Sequence, residues 1–200
     1  MNGRFSTEPG RLEAFSDGVL AVIITIMVLE LRPPEGIDAS ALQSVLPTFA
    51  AYILSFVYVG IYWNNHHHML RAVKGIDGRV MWLNLHLLFW LSLVPFTTSW
   101  LGKNPSATIP TAVYGAVLLL SAVAFTLLQQ ALIAVNGRDT AFARAVASDV
   151  KGKTSLALYV LAIGFAFIST RISDALFIVV AFIWFIPDRR MESVIASGEG

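Results

Sequence analysis

Arg11-Leu12-Glu13-Ala14-Phe15-Ser16-Asp17-Gly18-Val19-Leu20-Ala21-Val22-Ile23-Ile24-Thr25-Ile26-Met27-Val28-Leu29-Glu30-Leu31 sets the fold class of this chain. From Val19 to Leu29 the side chains are apolar except for Thr25. A helix of this length covers roughly 30 Å, the thickness of a hydrocarbon core. The run stops at Arg32-Pro33-Pro34, because proline lacks the amide a continuing helix needs. It does not read as a cleaved leader: Asp17 and Glu30 flank the apolar stretch and no small-residue cleavage site follows.

The same pattern recurs along the chain. Six candidate spans lie at 12–31, 41–69, 80–101, 107–136, 154–170 and 172–187, separated by Arg32-Pro33-Pro34-Glu35-Gly36, Lys74-Gly75-Ile76-Asp77-Gly78, Gly102-Lys103-Asn104-Pro105 and Asn136-Gly137-Arg138-Asp139. The last two are barely long enough and read as a tight helical hairpin. Composition agrees: 56% of the residues are hydrophobic and 14% charged, against about 25% charged in a globular domain. The expected fold is an all-α membrane protein, with residues 1–200 forming one six-helix domain.

Charge excludes further classes. Fourteen basic against thirteen acidic residues leave a net charge of +1, too balanced for nucleic-acid binding, and with no cysteine there is no thiolate metal site or cysteine nucleophile. With the N-terminus inside, the cytoplasmic side collects Arg4, Arg11, Arg71, Lys74, Arg79, Arg138, Arg144, Lys151, Lys153, Arg189 and Arg190. The other side keeps Arg32, Lys103 and Arg171. This asymmetry predicts a multi-pass protein of the cell membrane with both termini cytoplasmic.

Ionisable groups inside a span are costly and face protein or water. Here Asp17, His66, His67, Asn84, His86, Gln129 and Gln130 fall at one depth, roughly 6–13 Å from the basic border. They are expected to form a polar belt tying the first four helices together, with Asp17 as acceptor. Its role is interhelical hydrogen bonding or, alternatively, a proton or ion relay. His66-His67-His68 makes a poor metal site, because consecutive helical residues point about 100° apart. Tyr58-Val59-Gly60-Ile61-Tyr62 superficially matches a potassium filter, but it lies inside a helix whose carbonyls are already used. Ser55, Ser92 and Ser121 have no nucleophile signature around them, so an enzyme is not expected, and no cofactor either.

The Arg11-x-x-x-Phe15-Ser16-Asp17 pattern, leading into an apolar helix with one threonine, resembles the transmembrane protein 175 family of potassium channels. Trp63-Asn64-Asn65-His66-His67 and Leu93-Val94-Pro95-Phe96-Thr97-Thr98-Ser99 resemble that family's second and third helices. The resemblance covers the first half of the chain; the second half matches in hydropathy and length. It implies a homotetramer in the lipid bilayer, permeable to K+ and other monovalent cations, with the first helix lining a central pore. Carried over on Phe15-Ser16-Asp17, the apolar constriction falls on Val22, Ile26 and Leu29, and the polar ring on Thr25. Arg11, Phe15, Ser16, Asp17, Asn65, His66, His67, Asn84 and His86 would then serve the motif and helix packing. Proton permeation through the same pore is a further expectation.

Helical geometry places these residues independently. With Asp17 at 0° and about 100° per residue, Thr25 lies at about 80°, Leu29 at about 120°, Val22 at about 140° and Ile26 at about 180°. They form one stripe, and Asp17 stands off it. The competing reading is a proton-coupled secondary transporter using Asp17 and His66. Transporters carry midplane polar sites and repeats, whereas this midplane is nearly free of charge. A membrane enzyme or assembly factor comes third, for want of a catalytic constellation.

Overall fold

The computed structural model describes residues 8–147 and 149–185. These residues are helical throughout, in the order α1 Pro9–Leu29, α2 Ala39–Arg71, α3 Gly78–Ser92, α4 Val94–Lys103, α5 Thr108–Asn136, α6 Ala141–Ala147, α7 Val150–Ala166 and α8 Thr170–Phe185. No strand occurs among them. Four stretches, Pro9–Leu29, Ala39–Arg71, Gly78–Lys103 and Thr108–Asn136, are long and apolar enough to cross a membrane.

Local chemistry explains the boundaries. Asp38, Asp77 and Asp149 each cap a helix, accepting from the N–H of Ala41 at 2.9 Å, Val80 at 2.9 Å and Gly152 at 2.8 Å. Each satisfies an amide the first turn leaves without a partner. Asp149 therefore starts α7 at Val150, ahead of the expected 154. Lys151 and Lys153 belong to the helix rather than to the connection before it. The following turn moves with it: α7 ends at Ala166 and α8 begins at Thr170, so Arg171 lies inside α8. The expected ends at 187, and the basic residues Arg4, Arg189 and Arg190, lie outside the described residues.

The expected third span, 80–101, is two helices. The ladder breaks at Leu93, whose N–H reaches back only to the Trp90 carbonyl at 3.2 Å. Pro95 is the cause, since it offers no N–H to the Leu91 carbonyl and its ring crowds that turn. The short α6 was not expected from the sequence; it lies in the connection between α5 and α7.

α2 and α5 each contribute to two apolar cores. In one, Leu20, Ile23 and Met27 of α1 meet Val59, Met69 and Leu70 of α2, Leu87 and Leu91 of α3, and Leu128 and Leu132 of α5. In the other, Tyr58 and Ala51 of α2 and Tyr114 and Leu118 of α5 pack on Tyr159 of α7 and Phe177 of α8. Two glycines mark close approaches. A Cβ on Gly102 would stand 2.7 Å from the Thr48 Cα, and one on Gly115 would stand 2.9 Å from both Ile163 and Phe177. α1 thus packs at one side of the bundle, on α2, α3 and α4.

Candidate functional site

α1 buries one face. Leu12, Ser16, Leu20, Ile23 and Met27 are covered, and at about 100° per residue they occupy an arc of about 220–300°. The opposite side is bare: Val22 is 54% exposed, Ile26 44% and Leu29 79%, and Thr25 is exposed between them. Among the described residues this stripe, apolar apart from Thr25, is left largely uncovered. The Thr25 hydroxyl donates to the Val22 carbonyl at 2.8 Å. Its oxygen keeps its lone pairs as acceptors.

Polar side chains hold the buried face. The Ser16 hydroxyl donates to the Leu12 carbonyl at 2.8 Å and accepts from Asn84 Nδ2 at 3.0 Å. That use of the amide N–H turns Asn84 Oδ1 toward His66 Nε2, 2.7 Å away, so Nε2 donates. Ser16 and Asn84 are fully buried and His66 nearly so. This leaves His66 Nδ1 buried without a hydrogen-bond partner among the described residues. Asp17 accepts from the Trp63 indole N–H at 3.0 Å. Glu13 pairs with His67 across 2.5 Å, and the His67 ring stacks on Trp63.

The network ties α1 to α2 and α3 close to the Phe15-Ser16-Asp17 motif, with Asn84 at its centre and Ser16 as its α1 member. Behind it, Pro95 and Phe96 of α4 face the stripe side of α1 across a groove of about 990 Å³. A family model for the endosomal/lysosomal potassium channel TMEM175 matches residues 11–95, from α1 into the start of α4. Over 92% of its length the chain is 52% identical to a potassium channel of Chryseobacterium sp. (strain P1-3), covering 95% of that protein. The chain belongs to the TMEM175 family. A potassium channel of Streptomyces collinus is 37% identical over 59% of this chain and 61% of its own. The fold agrees as well. The crystal structure of a lysosomal potassium-selective channel TMEM175 homolog from Chamaesiphon minutus aligns with a TM-score of 0.77 and 30% identity, covering 90% of this chain and 97% of that one. The TMEM175 family is one of ion channels, not enzymes, and the four long apolar helices of this chain suit a multi-pass membrane protein.

Several residues expected in the belt or in helix packing make other contacts in this TMEM175 chain. Asn65 Nδ2 donates to the Ile61 carbonyl of its own helix at 2.8 Å. His86 Nε2 accepts from Trp90, one turn along α3, at 2.8 Å. Gln129 lines a separate crevice with Asp149, Ser155 and Trp184, and Gln130 is exposed. α5 therefore takes no part through these glutamines. Arg11 and Phe15 are exposed on α1. The three consecutive histidines serve different partners: His66 faces Asn84, His67 faces Glu13, and His68 meets the His67 ring edge-on.

Glu13 and Trp63 are the members that the expected belt leaves out. Glu13 stands one turn before Asp17 on the same side of the helix. A tryptophan indole N–H in a membrane needs an acceptor, and that is the signal by which Trp63 could be found.

Proposed function

We propose that this chain is the subunit of a homotetrameric, potassium-permeable cation channel in the cell membrane, with α1 lining a central pore. The observation that carries the reading is the exposed stripe of Val22, Thr25, Ile26 and Leu29 opposite a face fixed by Ser16, Asn84 and His66. The names of its relatives, potassium channels in Chryseobacterium and Streptomyces, support the choice of ion. Each subunit contributes six spans, the four long ones and the α7–α8 hairpin, with both termini cytoplasmic by the distribution of Lys and Arg.

Four α1 helices packed at ordinary spacing place each axis roughly 6–7 Å from the centre of the square they form. A helix with its side chains has a radius of about 5–6 Å. Rings of Val22, Ile26 and Leu29 would therefore nearly close. Such apolar rings resist wetting and pass ions when slightly widened. Four Thr25 oxygens, with lone pairs unused by the Val22 bond, form the polar ring between them. Selectivity then rests on the lower dehydration cost of the larger potassium ion, and it is modest. Protons share this path.

The test is ion flux from liposomes holding the purified protein, with potassium compared against sodium and Ile26→Asn alongside wild type. The expected result is potassium-favouring flux, enlarged several-fold by the polar substitution. Flux locked to a proton gradient, with Ile26→Asn silent, would replace the channel by a transporter built on Asp17 and His66.

A further inference from the structure

Among the described residues three carboxylates lie inside helices, Glu13 and Asp17 on α1 and Asp174 on α8. Glu13 pairs with His67, and Asp17 accepts from Trp63. Asp174 is half-buried and takes no hydrogen bond or ion pair among the described residues. It lines a groove of about 650 Å³ between α2 and α8, whose walls are apolar apart from Asp174 and Ser106. Ile53 of α2 and Ile178 and Phe182 of α8 stand exposed along it. The volume falls in the range of small-molecule sites, about 300–1,000 Å³. This groove shares no residue with the one behind the stripe of α1.

We propose that the α2–α8 groove holds a phospholipid with a primary ammonium headgroup, whose N–H groups donate to Asp174 while an acyl chain lies between the two helices. The proposal rests on reading the α7–α8 hairpin as a membrane span and is independent of α1 as a pore wall. An unpartnered carboxylate among apolar side chains at membrane depth is costly, and a cation supplied by the bilayer removes that cost. Charge selects the class. An anionic headgroup without an ammonium is repelled. A quaternary ammonium matches the charge but has no N–H to give, whereas a primary one offers three donors. Arg171 stands exposed one turn earlier on α8, likewise without a partner among the described residues. Residues three apart share a helix face, and helical side chains lean toward the N-terminus, so Asp174 leans toward the Arg171 turn. A cation beside the anion suits the phosphate that accompanies such an ammonium. From Asp174 to Phe185 the wall follows α8 for about 16 Å, close to the depth of one leaflet of a roughly 30 Å core.

Fluorescence quenching in vesicles tests this. The chain has no cysteine, so Phe185→Cys in the full chain takes a single bimane label on the groove wall, and brominated acyl chains quench it on contact. The vesicles hold phosphatidylethanolamine and phosphatidylcholine in equal parts, with bromine on one or the other. Phosphatidylethanolamine should quench as though bound about three- to ten-fold more strongly, the worth of a charge-assisted hydrogen bond near water. Asp174→Asn should bring the ratio to about one, and Asp174→Glu should keep most of it. Methylating the ethanolamine nitrogen one step at a time should lower the preference stepwise, and this series decides alone should Asp174→Asn not assemble. Equal quenching by the two lipids, or a preference that survives Asp174→Asn, overturns the lipid site and leaves the span reading standing. A label at Val179→Cys, exposed on α8 and outside the groove, separates the other outcomes. If neither lipid quenches at 185 but both quench at 179, a second copy of the chain covers the groove and the lipid site is wrong. If neither quenches either label, the hairpin is not in the bilayer, and the span reading fails together with the site.

Discussion

Replacing Asn84 by alanine removes the link through which α1, α2 and α3 share hydrogen bonds. Asn84 is fully buried, donates to Ser16 Oγ at 3.0 Å and accepts from His66 Nε2 at 2.7 Å. The two losses are unequal. Ser16 keeps its bond to the Leu12 carbonyl and loses only an incoming donor. His66 is left with a buried N–H that has no acceptor, beside an Nδ1 that already lacks a partner. An orphaned buried donor costs about 1–3 kcal/mol, and interhelical hydrogen bonds within membranes average about 0.6 kcal/mol, up to about 1.7. The cavity left by the amide adds about 0.5 kcal/mol. Asn84→Ala should therefore destabilise the subunit by about 2–3 kcal/mol. Ser16→Ala, which orphans one Asn84 N–H, should cost about 1 kcal/mol. In the double variant the Ser16 change should be nearly free, giving a coupling of about 1 kcal/mol. Reversible unfolding in mixed micelles, followed by tryptophan fluorescence, measures all three. Equal losses for the single variants, or additivity within about 0.3 kcal/mol, would refute the placing of Asn84 at the junction.

Gly102→Ala should cost about 1–3 kcal/mol by overpacking, because the new Cβ would stand 2.7 Å from the Thr48 Cα and both atoms are tied to backbone. Gly60→Ala, with nothing within 4 Å of its Cβ, should be neutral or stabilising by up to about 1 kcal/mol in the same micelle unfolding assay. Asn136→Ala should loosen the α2–α3 turn, since Asn136 Oδ1 accepts from the N–H of Lys74 at 2.9 Å and of Gly75 at 3.0 Å, and Nδ2 donates to the Gly75 carbonyl at 3.0 Å. Faster hydrogen exchange at Lys74 and Gly75, with the centre of α5 unchanged, is the expected readout. The Ser99 hydroxyl, then Lys103, hold the Glu30 carboxyl below its usual value of 4.5. A lowered carboxyl contributes stability above that value and loses it as pH falls through the folded-state pKa. The melting-temperature gap between wild type and Glu30→Gln should therefore be open at neutral pH and close in acid. It should be small, because the pair is exposed and solvent-screened.

The sequence carried the fold because bilayer thickness fixes helix length, and proline and aspartate mark where helices stop and start. Val19–Leu29 could be little else than a span, and Pro33 ends it. The break at Leu93 was less legible: Pro95 stands inside an apolar run whose hydropathy does not change across it. The α7 boundary was misplaced because Asp149 reads as loop charge until its side chain is seen capping Gly152. For the polar belt, depth was legible but direction was not. Asn84, His66 and Ser16 share a depth and meet. Gln129 and His86 share that depth but point elsewhere, because position along a span does not say which neighbour a face meets. Asn136 could not be picked out, since an asparagine before glycine is an ordinary helix end in any sequence.

The arrangement around α1 separates two tasks that would interfere on one face. Glu13 lies at about 320°, Ser16 at about 260°, Asp17 at 0° and Glu30 at about 220°, so each side chain that makes a strong polar contact sits on the bundle side. The stripe between about 80° and 180° keeps only Thr25 for polar contact. A carboxylate on that stripe would bind a cation tightly and slow its departure, since conduction needs sites weak enough to leave. The same carboxylates turned inward cost little, because Trp63, His67, Ser99 and Lys103 satisfy them. Rotating α1 by a single residue step of about 100° would carry the stripe to about 180–280°, into the arc that faces the bundle, and swing Ser16 away from Asn84. The anchors at both ends therefore fix rotation as much as position, and in the proposed channel the rotation of α1 decides whether the pore wall is apolar.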